Sequence, residues 1–194
     1  MLVFWSFIPM LDHFDFIAPI YDRMIGSPDT ERLQKLLKLP TSGWLLDGGG
    51  GTGRVSSHLN GLAGNIVVSD LSHRMLKKAR GKQVRPVQAH VERLPFADEM
   101  FDRILVVDAL HHFCDQREAI QDLLRVLKPG GRLVIEEPDL NHFGVKLLAL
   151  AEKMMLMRSH FYSPQKIQEV IADCGYAAKI ENDDRYTAWV VTEK

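Results

Sequence analysis

Cysteine is scarce. Cys114 and Cys174 are the only two in 194 residues, and neither belongs to a CxxC pair. Two thiols cannot build a disulfide framework, so a reducing, cytoplasmic setting is the expectation. Surplus charge is missing too: Lys plus Arg number 24, Asp plus Glu 25, and the formal net charge is −1. That balance removes the global field of a dedicated nucleic-acid binder, and no nucleic-acid partner is expected. The segment Met1–Leu11 is strongly apolar, but its 11 residues include Pro9, whereas a spanning helix needs roughly 20. It has neither basic residues ahead of the apolar stretch nor a small-residue cleavage site after it. It is therefore expected to pack against the domain, with no stable membrane insertion. Linker-like tracts and internal repeats are absent as well, which favours one domain.

What the chain does contain is an alternation of short apolar runs with helical patterns. Trp44-Leu45-Leu46, Ile66-Val67-Val68, Ile104–Val107 and Leu133-Val134-Ile135 are continuous apolar runs of the kind that strands buried on both faces require. Ile120, Leu123, Leu124 and Leu127 share one helical face, as do Ile167, Val170, Ile171 and Cys174. Ser163-Pro164 predicts the start of the later helix and Gly175 its stop; Ser27-Pro28 predicts another start before Leu33. Strand and helix in turn imply a doubly wound α/β sheet with right-handed crossovers. The tail from Ala177 reads as a hairpin around Glu181–Arg185, which places an antiparallel C-terminal strand on an otherwise mostly parallel sheet.

The most informative segment is Trp44-Leu45-Leu46-Asp47-Gly48-Gly49-Gly50-Gly51-Thr52-Gly53-Arg54. A strand ends in a carboxylate, and a glycine turn then leads into a helix expected near Thr52. Glycines allow the tight turn and let a ligand approach the backbone with no Cβ in the way. Gly48-x-Gly50-x-x-Gly53 satisfies a dinucleotide fingerprint, and Asp47-x-Gly49-x-Gly51-x-Gly53 satisfies an S-adenosylmethionine pattern. A P-loop does not fit, because no Gly-Lys-Ser/Thr follows. The turn alone indicates an adenosine cofactor without choosing which. Asp70 ends the next apolar run 23 residues beyond Asp47, where a carboxylate can accept from a ribose diol. A helix N-cap is the competing role.

With those residues stand Leu71-Ser72 and Met75, Glu92-Arg93-Leu94-Pro95-Phe96 followed by Phe101-Asp102, Ala109-Leu110-His111-His112-Phe113, and Arg125-Val126-Leu127-Lys128-Pro129-Gly130-Gly131. Phe14-Asp15 through Ala18 to Tyr21-Asp22 precede them. In this order and spacing the chain resembles a class I S-adenosylmethionine-dependent methyltransferase of the ubiquinone/menaquinone-biosynthesis-like small-molecule group, along nearly its whole length. The resemblance implies a Rossmann-like sheet of seven strands and S-adenosyl-L-methionine as cofactor. It implies Asp47 near the methionine amino group, Gly48, Gly49 and Gly51 along the cofactor, and Asp70 on the ribose. Leu71 and Met75 would flank the adenine, Tyr21 would close over the sulfonium, and Asp108 would lie against the methionine moiety. Where the family usually has an Asp that accepts from the adenine amino group, this chain has His90. Adenine recognition would then fall to a suitable His90 tautomer or to the Val91 backbone. The domain divides, on this reading, into an N-terminal helical cap (1–40), a cofactor-binding core (41–138), and lid helices with the C-terminal hairpin (139–194).

Methyl transfer from a sulfonium asks the protein mainly for alignment and exclusion of water. A base is needed only where the acceptor loses a proton. His112 and His142 are the catalytic candidates, beside His111 and Tyr21; a structural role for the His111-His112 pair competes. A metal set from Glu136, Glu137, Asp139 and His142 gives way to plain solvation, and no metal is expected. Between Leu71 and Val91 there are six Lys and Arg (Arg74, Lys77, Lys78, Arg80, Lys82, Arg85) and no acid, which reads as a solvated helix face. The stretch Phe143–Phe161, rich in Leu and Met, is either core or a lid or homodimer surface around a hydrophobic acceptor. The activity expected is methyl transfer to a small, apolar or aromatic molecule. The rivals are a non-catalytic cofactor-binding subunit or regulator and a nicotinamide-dependent oxidoreductase. The latter has the terminal hairpin against it.

Overall fold

The computed structural model describes residues 27–139, 160–182 and 187–194. Its first helix, α1 (Thr30–Leu37), begins two residues later than Ser27-Pro28 suggest, because the Asp29 side chain accepts from Arg32 N at 3.0 Å and takes the cap itself. It buries Leu33, Leu36 and Leu37 and ends where Lys38 turns left-handed at φ 52°. Then follow β1 (Thr41–Gly48), β2 (Ala63–Asp70), α2 (His73–Ala79), β3 (Arg85–Gln88), β4 (Phe101–Val107), α3 (Gln116–Val126) and β5 (Leu127–Pro138). The chain closes with α4 (Pro164–Asp173), β6 (Ala178–Asn182) and β7 (Thr187–Glu193).

These strands make one seven-stranded sheet in the order β3-β2-β1-β4-β5-β7-β6. The pairs from β3 to β5 are parallel, whereas β7 runs antiparallel to both β5 and β6. The doubly wound sheet and its antiparallel C-terminal hairpin therefore stand as the sequence indicates. Side chains alternate between two cores. Leu46, Val67, Ile104, Val106 and Ile135 face α3 and α4, while Leu45, Val68, Leu105, Val134 and Trp189 face α1 and α2. Burial on both faces explains why the strands read as unbroken apolar runs.

Two local expectations shift. Leu127 does not extend α3: the helix stops at Val126, and Leu127 pairs with Phe101 as the first residue of β5. No helix starts at Thr52 either. Gly51 and Gly53 sit at φ +55° and +68°, which interrupts a right-handed ladder, and only a short 3-10 turn, Ser56–Leu59, follows. At the other end, Ser163 caps α4 by accepting from Lys166 N, Pro164 opens it, and Gly175 stands just past its close at φ +90°. Among the described residues no helix is long and apolar enough to cross a membrane.

Candidate functional site

Strand order reverses beside β1, because β1 lies between β2 and β4. Ligands of such sheets occupy the crevice at the carboxyl ends of the strands at that point. Here the crevice is formed by the glycine turn after β1, by Asp70 at the end of β2 and by Asp108 after β4.

The turn is hung from β2. Gly49 N and Gly50 N both donate to Ser69 O (2.8 and 3.1 Å), and Gly51 N donates to Asp70 Oδ2 at 2.9 Å. Asp70 Oδ1 accepts from Ser72 N at 2.8 Å, and Ser72, not Asp70, caps α2 by accepting from Met75 N. One carboxylate thus ties the turn to the start of α2. Glycine is required at two points. A Cβ on Gly49 (φ +74°) would lie 2.7 Å from Ala109 Cβ and 3.0 Å from the Phe113 ring, and a Cβ on Gly50 would lie 2.4 Å from Asp47 Cγ. A Cβ on Gly51 would instead meet only Asp70 Oδ2, at 3.8 Å.

Asp47 lies beneath this turn, 1% exposed, and accepts a hydrogen bond from the Ser56 hydroxyl. Burial pushes its carboxyl up to about 7; the Asp70 charge adds to the rise, while Ser56 and Arg54 oppose it. Arg54 follows the turn with a largely buried side chain, and its Nη2 is 3.9 Å from Asp108 Oδ2. Asp108 holds φ +50°, outside the usual region for a residue with a Cβ, with its N donating to Glu136 O at 3.0 Å.

Just past Asp70, Leu71 is 43% exposed and is the one large hydrophobe open to solvent among the described residues. Met75 and Val91 are buried. His90 is exposed, with Nδ1 3.7 Å from Glu92 Oε2, at the edge of an open groove of about 560 Å³ that Cys114 and Asp115 also line. Arg74, Lys77, Arg80 and Arg85 are exposed, in line with a solvated basic face.

The β4–β5 side is closed. Glu137 Oε1 accepts from Ala109 N (3.1 Å) and Leu110 N (2.8 Å), and Oε2 accepts from His111 Nδ1 at 2.6 Å. The His111 ring stacks on Phe161 at 4.3 Å between centroids and lies 3.9 Å from that of His112. The solvated reading of this loop is overturned: Glu137 and Asp139 are both buried, and Glu137 is committed to the backbone and to His111. Burial, with a smaller effect of His111, lowers His112 to about 3, so its ring is neutral at ordinary pH. His142 and Tyr21 lie outside the described residues, as do Met1–Leu11 and most of Phe143–Phe161.

Sequence reasoning missed Ser56, Arg54 and Glu137. The first stands nine residues past Asp47 with no motif to mark it, and Glu137 was hidden in an acidic stretch that reads as surface. Arg54, by contrast, adjoins the last glycine of the turn, which is signal enough in retrospect.

Residues 46–135 match the family model of the methyltransferase domain. The matched stretch begins in β1, includes the glycine turn and ends in β5. Among individual relatives, the chain is 38% identical over 144 residues to the ubiquinone/menaquinone biosynthesis C-methyltransferase UbiE of Idiomarina loihiensis, over 65% of this chain and 57% of the relative. Its counterpart in Pseudomonas paraeruginosa is 39% identical over 142 residues, 64% and 56% of the two chains. The chain thus spans little more than half the length of these curated relatives. In fold it is similar to an S-adenosylmethionine-dependent methyltransferase of Thermotoga maritima (TM-score 0.77, 21% identity, 93% of this chain and 97% of the other). It is similar also to the [4+2]-cyclase SpnF (TM-score 0.76, 17% identity, 93% of each chain). The last likeness shows that this fold houses more than one chemistry.

Proposed function

We propose that the chain transfers a methyl group from S-adenosyl-L-methionine to a small, apolar or aromatic acceptor, of the kind handled in ubiquinone and menaquinone biosynthesis. The observation that carries this reading is the posture of Asp70. Its two oxygens accept from Gly51 N and Ser72 N, which fixes the carboxylate between the glycine turn and the start of α2, where such a group meets a ribose diol. Gly51, where a Cβ would meet only Asp70 Oδ2, leaves room for the nucleoside, and the exposed Leu71 supplies an apolar surface for the base.

Around that anchor the assignment runs as follows. Gly48, Gly49 and Gly51 form the turn beside the cofactor, Asp47 supports it from below, and His90 and the Val91 backbone face the adenine edge. Met75 packs behind it, Asp108 meets the amino-acid end, and Tyr21 closes from the N-terminal cap. When bound, the cofactor supplies an electrophilic methyl on a sulfonium. The protein orients the acceptor and keeps water out. His112, neutral and with a strongly lowered basicity, serves the acceptor as a hydrogen-bonding ring, since so weak a base is poorly matched to proton removal near pH 7. His142 remains the candidate for that task. The protein acts in the cytoplasm on a small-molecule acceptor.

Calorimetric titration with S-adenosylmethionine, S-adenosylhomocysteine and NAD tests the cofactor. Only the first two should bind, and Asp70→Ala should weaken them by about 1.5–3 kcal/mol. Binding of NAD alone, or unchanged affinity in the variant, overturns the assignment. Binding without turnover of any quinone-type acceptor would instead favour a regulator that uses the cofactor as a ligand.

A further inference from the structure

We propose that β6, an outer strand of the sheet, pairs antiparallel with β6 of a second copy of this chain and joins two domains into one continuous sheet. The proposal is independent of the cofactor assignment. Among the described strands β6 pairs only with β7, so its other side presents a row of backbone groups that can template a further strand. Alternation in an antiparallel ladder decides which groups those are. Lys194 N donates to Gly131 O, so along β7 the backbone of Thr192, Val190 and Ala188 turns to β5. That of Val191 and Trp189 turns to β6, where their partners are Lys179 and Glu181. The backbone of Ala178, Ile180 and Asn182 therefore turns outward. Gln168 agrees with this assignment, because its Nε2 donates to Ala178 O at 2.6 Å, a carbonyl that β7 does not use.

The side chains decide which strand fits. Ala178 and Ile180 pack on the core beneath α4. Lys179 and Glu181 are exposed on the opposite face, where Arg32 of α1 stands 3.9 Å from Glu181. A cation and an anion flanking Ile180 make the strand complementary to itself. With a two-fold axis at Ile180, the two copies of Ile180 exchange both backbone bonds, and each Lys179 stands opposite Glu181 of the second copy. An axis at Lys179 or at Glu181 would instead set like charges opposite each other, which destabilises a strand pair. The charges thus select one register. The other outer strand, β3, provides a contrast. It carries Pro86, which has no N–H to donate, and the stretch from Arg74 to Arg85 holds six Lys and Arg and no acid. Charge on an edge commonly keeps other chains away; charge of one sign does so at β3, whereas the mixed pair on β6 does not repel its own copy. Because β5 and β6 both run antiparallel to β7, the two-fold axis reverses the second sheet. The two crevices then open at opposite ends, and neither obstructs the other. A pair of five-residue strands falls short of the roughly 1,200 Å² of a standard interface, so the dimer is weak and depends on concentration.

Sedimentation velocity of the full chain, from about 10 μM to about 1 mM to suit a weak interface, tests the pairing. The wild type should pass from monomer to dimer across that range. Lys179→Glu and Glu181→Lys each set like charges opposite in both cross-strand pairs, and each should weaken self-association by about 10-fold or more. Mixed in equal amounts, the two variants should form a heterodimer, since every charge then meets its opposite. The double reversal, K179E with E181K, should dimerise within about threefold of the wild type, because the same pairs re-form with their signs exchanged. Hydrogen exchange reads the same contact without any variant: the Ile180 amide of the wild type should exchange more slowly at the high concentration than at the low one. A wild type that stays monomeric throughout overturns the proposal. A dimer that persists unchanged in Lys179→Glu does so too, since it must use another surface, as do reversed variants that fail to associate when mixed.

Discussion

Two carboxylates are buried at the same end of the sheet, Asp47 at the exit of β1 and Glu137 near the end of β5, and they are satisfied in opposite ways. Glu137 receives three donors, two backbone N–H groups and an imidazole nitrogen, on two oxygens. Asp47 receives the hydroxyl and, more weakly, the backbone N–H of Ser56, with the nearby charge of Arg54, against burial and the charge of Asp70. The first arrangement fastens the β4 exit, residues 109–111, to the neighbouring strand. The second leaves a carboxyl whose protonation is balanced near neutrality, beneath a turn made of glycine. The half of the crevice assigned to the cofactor is thus built from backbone and weakly satisfied charge, and the half assigned to the acceptor from a closed polar network. A buried polar group is costly mainly when its partners are removed, so the two halves should respond differently to the same kind of lesion.

The largest effect is expected at Glu137. Glu137→Ala leaves two amide donors and His111 without their acceptor, at a cost of about 3–5 kcal/mol in unfolding free energy. Glu137→Gln should cost about 1–3 kcal/mol: the amide oxygen still serves the two N–H groups, and its NH₂ requires His111 to change tautomer. Urea denaturation measures both, and equal losses would show that the bonds to the two N–H groups add nothing. The glycine turn offers a sharper contrast. Gly49→Ala puts a Cβ 2.7 Å from Ala109 Cβ at φ +74° and should cost about 1–3 kcal/mol of stability. Gly51→Ala meets no protein atom nearer than 3.8 Å, so it should cost stability only about 1 kcal/mol for its positive φ. Its effect should fall on cofactor affinity. Should the two alanines behave alike in both measurements, the crevice mouth is not where the nucleoside sits.

The sheet was legible because burial on both faces leaves a simple mark, uninterrupted runs such as Ile104–Val107. The glycine turn and Asp70 were legible because their chemistry depends on residue types at fixed spacing. What escaped were partnerships between distant segments. Nothing in Glu136-Glu137-Pro138-Asp139 distinguishes a buried acceptor from a solvated loop until β4 and β5 are side by side and His111 lies across from it. The helix expected at Thr52 failed for a local reason: glycines at positive φ suit a turn that must pass close to Asp47 and Asp70, and the same conformation stops helix propagation. Ser56 could have been suspected only by asking what satisfies a buried carboxyl.

The smallest effect is a cancellation, and it joins the two halves. The folded-state pKa of Asp47 is raised from 3.8 to about 7. Between those values the native state holds a proton that the unfolded state has lost, so this group lowers stability as pH rises, by about 1.4 kcal/mol per pH unit. His112 is lowered from 6.5 to about 3. Between those values the unfolded state holds the proton, and this group raises stability with pH by about the same amount. From about pH 4.5 to 6 the two slopes oppose, and the pair should contribute almost no net pH dependence. Asp47→Asn keeps a partner for Ser56 but removes the titration, so its stability should climb with pH across that window. His112→Asn should show the reverse, a fall with rising pH. The double variant should be as flat as the wild type, because the residues sit in separate networks and their effects add. Denaturant unfolding at three or four pH values measures all four proteins. Parallel curves for the four would mean that neither group carries its shift in solution, and a flat Asp47→Asn beside a falling His112→Asn would place the error at His112 alone.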